Sequence, residues 1–126
     1  MDSDYLADSV PGGPDPFRAD CPSREALAAV SGKWACLVIC ALRSGPLRHM
    51  EIARRVEGVS PRSLSHALRD LESRGLVRRE AFPETPPRVV YSLTPLGRHL
   101  SRWLEQLRLW AAEWGAKPAS PGAAER

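Results

Sequence analysis

The chain has 126 residues, 43% of them hydrophobic and 26% charged, with a formal net charge of +3. That length suits one domain with tails, and the longest unbroken apolar run, nine residues from Trp34 to Leu42, is far too short to cross a bilayer. Three cysteines do not make a disulfide framework, and the acidic N-terminal stretch has no apolar core, so a cytoplasmic protein without a signal peptide or membrane partner is expected.

The charge is unevenly spread. Residues 1–20 hold five acids and one base, residues 21–115 hold 15 bases and nine acids, and residues 116–126 hold two bases and one acid. A basic body with an acidic arm points to a polyanionic partner. The arm includes Val10-Pro11-Gly12-Gly13-Pro14-Asp15-Pro16, a composition that builds neither a helix nor a strand. Residues 1–20 are therefore expected to be disordered, residues 21–115 to form the domain, and residues 116–126 to be a second disordered tail.

In the domain, Ser23 is a candidate cap for a helix from Arg24 to Ser31, with Ala26, Leu27 and Val30 as its apolar side and Gly32 as its break. A second helix is expected from Trp34 to Arg43. It is apolar all the way round, which predicts burial on all sides. Ser44-Gly45-Pro46 stops it. Leu47 to Val56 predicts a third helix, with Met50, Ile52, Ala53 and Val56 as the apolar set. Glu57-Gly58-Val59 is a short turn.

The next segment carries its own start and stop signals. Ser60 caps, Pro61 suits the first helical position and Gly75 suits a left-handed stop. Leu64, Leu68 and Leu71, with Ala67 beside them, form one stripe; Arg62, His66, Arg69 and Ser73 form the opposite face, with Ser65 at its edge. Two helices joined by a tight glycine-containing turn, the second with a basic face, make the helix-turn-helix arrangement.

After Gly75 the period changes. Leu76 to Phe82 and Arg88 to Leu93 are strand candidates, separated by Pro83-Glu84-Thr85-Pro86-Pro87. A hairpin in this place is the wing of a winged helix. Thr94-Pro95 repeats the cap of Ser60-Pro61 and opens a long helix to about Gly115. Its apolar positions include Leu96, Leu100, Trp103, Leu104, Leu107, Trp110, Ala111 and Trp114. A small domain cannot easily cover such a stripe from within, so a homodimer built partly on this helix is expected. The fold class expected is mainly α with a small β-hairpin wing (α+β): a winged helix-turn-helix with a long C-terminal dimerisation helix.

Catalysis has little support. There is no Gly-rich phosphate loop, no His-x-x-x-His pair and no Cys-x-x-Cys, and His49, His66 and His99 are scattered. No enzyme activity, metal or cofactor is expected. Double-stranded DNA is the expected partner. Arg62 lies in the first turn of its helix, where an inserted helix meets base edges, and an arginine there pairs bidentately with guanine. Ser63, Ser65, His66 and Arg69 suit bases or phosphate. The DNA-binding set is thus Arg48, Ser60, Arg62, Ser63, Ser65, His66, Arg69 and Arg88, with Arg78 and Arg79 as weaker candidates. Glu84 at the wing tip opposes a phosphate.

Cys36 and Cys40 read as small core residues. Cys21 sits before a helix N-terminus, which favours a thiolate, while Asp20 opposes it; a reactive thiol and an inert one both fit. Two rival classes stand beside the DNA reading: a winged-helix protein-interaction module, and a ligand sensor with a pocket near Trp34, Cys36, Cys40 and the terminal helix.

Several motifs resemble the HxlR-type winged helix-turn-helix regulators, in the MarR-like winged-helix superfamily. They are Cys21-Pro22, Gly32-Lys33-Trp34, the Ser60-Pro61 helix with its leucines, Gly75-Leu76-Val77-Arg78-Arg79, and the block from Pro86 to Gly97. The resemblance covers about residues 21–114 and implies a homodimeric bacterial transcription factor. It implies dimerisation through the first and last helices, here Leu27 with Leu100, Trp103, Leu107, Trp110 and Trp114. It implies a helix matching residues 61–74 in the major groove, and a redox-sensing cysteine at Cys21, or a response to a small ligand. A repressor that answers an oxidant, an electrophile or a small molecule is the function expected. The long acidic arm and the pair Cys36 and Cys40 depart from common members.

Overall fold

The computed structural model describes residues 17–115. Its elements run α1 (Pro22–Ala29), α2 (Ala35–Leu42), α3 (His49–Arg55), α4 (Pro61–Ser73), β1 (Val77–Phe82), β2 (Arg88–Leu93) and α5 (Pro95–Gly115). Most of the arm expected over residues 1–20, and the whole tail at 116–126, lie outside the described residues.

The core is assembled by α2 and α4 with one side of every other element. Val38, Ile39 and Leu42 of α2, Ile52 of α3, Leu64, Leu68 and Leu71 of α4 and Val77 of β1 are all but inaccessible to solvent. The leucine stripe of α4 is thus spent wholly inward, which leaves its polar face to water. Burial on all sides of α2 is corrected: Leu37 is exposed, and Cys36 and Cys40 are only half-buried. The α2 face that holds them is partly covered by α5 rather than enclosed.

Local signals explain both ends of α4 and the start of α5. The Ser60 hydroxyl accepts a hydrogen bond from the Ser63 amide at 3.0 Å, with Pro61 in the first turn. Gly75 takes a φ of +76°, the left-handed stop. Thr94 does the same work for α5: its hydroxyl accepts from the Gly97 amide at 3.0 Å and donates to the Gly75 carbonyl at 2.6 Å. The start of α5 is therefore tied to the end of α4.

Two helix starts differ from the sequence reading by two residues. Helix α1 begins at Pro22 with Cys21 as its cap residue, not Ser23. The proline sets the first helical φ, as it does at Pro61 and Pro95. Helix α3 begins at His49 rather than Leu47, because Leu47 pairs with β2. The Leu47 amide donates to the Tyr91 carbonyl at 3.0 Å and the Tyr91 amide to the Leu47 carbonyl at 2.8 Å. The wing is an antiparallel hairpin running from Val77 opposite Leu93 to Phe82 opposite Arg88. The Leu47 pairing clamps its base to the start of α3.

Candidate nucleic-acid interface

Because Leu64, Leu68 and Leu71 point inward, the 3.6-residue period turns Arg62, His66 and Arg69 outward, and all three are exposed. Together with Ser63 they line one side of a groove of about 510 Å3. The α1–α2 turn lines the other side with Ser31, Gly32, Lys33 and Trp34. Lys33 Nζ stands 4.8 Å over the Trp34 ring. Lys33 was absent from the sequence-based DNA set. The signal was present as Gly32-Lys33-Trp34, but nothing in the linear chain says that this turn lies beside α4.

The three serines serve the scaffold as well as the surface. Ser60 caps α4. The Ser65 hydroxyl lies 3.2 Å from His49 Nε2 and is half-buried, so it bridges α3 to α4. Ser63 is half-buried in the groove wall.

Arg48 is exposed at the cap position of α3, where its amide donates to Glu51 Oε1 at 2.7 Å. It shares a second depression, between α3 and the wing, with Arg54, Pro87 and Val89. Arg54 is a second exposed cation that the sequence reading passed over. Arg88 is engaged within the wing. Its guanidinium lies 2.9 Å from Glu84 and 4.2 Å from the Phe82 ring centroid. A partly exposed pair of this kind is worth about 0–1 kcal/mol, so a phosphate competes for Arg88 against a weak partner. Arg78 lies 3.7 Å from Glu80, and Arg79 is exposed.

Of the residues expected at a dimer interface, Leu27 is 59% exposed and Trp110 57%, and Trp103, Leu107 and Trp114 are exposed with them. Leu100 is different: it packs against the chain's own core. Leu109, not singled out by the period, is exposed on the same helix. Cys21 is half-buried at the head of α1, its Sγ 2.9 Å from the Ser23 hydroxyl.

A tri-helical core, a hairpin wing beside it, and a basic helix displayed between them define a winged helix-turn-helix transcriptional regulator. The chain belongs to the HxlR-like helix-turn-helix family, whose model matches residues 29–119. It is 43% identical over 94 residues to the HTH-type transcriptional regulator YtfH of Escherichia coli K12, covering 75% of each chain. Among solved structures, it is similar to the transcriptional regulator ytfH from Salmonella typhimurium, with a TM-score of 0.72 and 39% identity over 79% of this chain and 89% of that one. It is also similar to the diamide-treated YodB from B. subtilis, with a TM-score of 0.64 and 31% identity over 80% of this chain and 100% of that one. Among the described residues, no helix is long and apolar enough to cross a membrane.

Proposed function

We propose that the chain acts as a homodimeric repressor that sets α4 of each protomer into successive major grooves of double-stranded DNA, about 34 Å apart. The observation that carries this reading is the outward face of α4. Arg62, His66 and Arg69 sit side by side, with Lys33 across the groove and Arg48 and Arg54 flanking toward the wing. Arg62 reads a base edge, and Arg48 and Lys33 hold phosphates. The exposed apolar residues of α5, together with Leu27, supply the dimer contact. A duplex fragment from the gene's own upstream region tests this in a mobility shift: binding that falls steeply with salt and survives excess random DNA is expected. Equal affinity for random DNA defeats it.

The release signal in this reading is modification of Cys21 by an oxidant or electrophile. Its thiol heads α1, half-buried beside the Ser23 hydroxyl, and a similar protein has been solved after treatment with diamide. Diamide should release DNA from the native chain and not from Cys21→Ser. Release from both proteins removes Cys21 from the mechanism. A small-molecule effector is the second reading, favoured by a groove of about 520 Å3 lined by Leu37, Cys40, Arg43, Glu105 and Arg108 where α2 meets α5.

A further inference from the structure

Cys36 and Cys40 stand one helical turn apart on the same half-buried face of α2. Cys40 lines the groove between α2 and α5, beside Glu105 and Arg108, whose own ion pair spans 2.6 Å. Neither thiol is used in the DNA reading; Cys40 opens on that cleft, and Cys36, one turn before it, is likewise only half-buried rather than sealed in the core.

Geometry decides what such a pair suits. Residues four apart on a helix hold their Cβ atoms about 5–6 Å apart. A disulfide needs about 3.5–4.5 Å, so direct oxidation would distort α2. A single atom inserted between the two sulfurs closes that gap without moving the backbone. Among the described residues no group of three or more His, Cys, Asp or Glu side chains is placed to hold a metal ion, which argues against a four-coordinate zinc site. The bridging centre must be content with two thiolates. The half-buried setting further favours a product without net charge.

We propose that Cys36 and Cys40 form a two-thiol site for a soft, low-coordinate thiophile: a mercuric ion or an arsenic(III) centre bearing one organic group. Both yield neutral bis-thiolates. With an arsine oxide, the As=O oxygen leaves as water with the two thiol protons as two As–S bonds form. With a mercuric ion, two Hg–S bonds form and two protons are released. No oxidant or reductant takes part. Burial and the neighbouring Cys36 push the Cys40 thiol up to about 11. Its thiolate is scarce near neutral pH, which protects it from ordinary oxidants and leaves it to a reagent that displaces the proton. An occupied site lies at the contact of α2 with α5.

The test uses the full chain, reduced. Trypsin releases residues 34–43 as one peptide, cut after Lys33 and Arg43 and holding both thiols, while Cys21 falls in the separate peptide 19–24. Phenylarsine oxide is expected to add one phenylarsenic group per chain, on peptide 34–43, kept under excess 2-mercaptoethanol and removed by dithiothreitol. A parallel arm with mercuric chloride should leave one mercury per chain on the same peptide after the monothiol wash. The Cys36→Ala and Cys40→Ala proteins should each lose retention at least tenfold, and Cys21→Ser should keep it. Adducts on peptide 19–24, or on 34–43 but stripped by the monothiol, overturn the proposal. Because the native chain alone gives that answer, it stands even where an alanine variant fails to fold. Retention of one thiophile and not the other decides which of the two the site takes.

Discussion

Gly97 lies directly against the backbone of Leu76: a Cβ at Gly97 would overlap the Leu76 carbonyl oxygen and stand 3.0 Å from its carbon. This contact lets α5 start beside the base of the wing, where Thr94 caps it and reaches back to Gly75. Backbone cannot yield as a side-chain tip does. Gly97→Ala should therefore destabilise the fold by about 1–3 kcal/mol, the usual cost of forced overpacking. Urea unfolding followed by tryptophan fluorescence measures it, and a change below a few tenths of a kcal/mol would show that α5 shifts freely.

Arg62 and Arg48 should fail in different ways. Arg62→Ala is expected to erase preference for the operator over random duplex, a loss of about 1–3 kcal/mol for a bidentate base contact. Arg48→Ala and Lys33→Ala should weaken both DNAs alike and lower the salt slope by about one each. Titrations on operator and random DNA at several salt concentrations separate the two patterns. Equal losses on both DNAs for Arg62→Ala would return it to the backbone-holding group.

Trp110 is the most exposed of the α5 tryptophans. A buried interfacial tryptophan commonly contributes about 2 kcal/mol or more, so Trp110→Arg should shift the protein from dimer to monomer in sedimentation velocity. Operator affinity should fall with it, since one half-site alone remains. A Trp110→Arg protein that sediments as a dimer places the interface elsewhere.

The thiol of Cys40 sets a pH dependence with a definite sign. Burial first, then Cys36, raises it from an ordinary 9.0 to about 11. Alkylation of Cys40 by iodoacetamide should climb roughly tenfold per pH unit and level off only near the raised value, because the thiolate is the nucleophile. Removing Cys36 should move that plateau down. For stability the sign is negative. Below pH 9 both folded and unfolded chains keep the proton, and between about 9 and about 11 the unfolded chain loses it first, so this thiol lowers stability as pH rises through that window. A Cys40→Ala chain with the same alkaline limb would show that other groups govern it.

The winged-helix order was legible because its signals are short-range. Ser60-Pro61, Thr94-Pro95 and Gly75 act on backbone groups within three or four residues, and the leucines of α4 obey the helix's own period. The face that Arg62, His66 and Arg69 share follows from the same arithmetic. What the folded chain added is pairing between segments, which no local pattern encodes. Leu47 left the predicted helix to join Tyr91, Leu100 turned from the outer stripe to the core, and Lys33 came to face α4. Arg88 shows the same limit at short range: it reads as a phosphate contact in the sequence, and only the folded hairpin brings Glu84, four residues away, within 2.9 Å of it. Caps and periods are properties of a few neighbouring residues. Which side chains meet is decided by burial of the common core, and that is settled only once all the elements pack together.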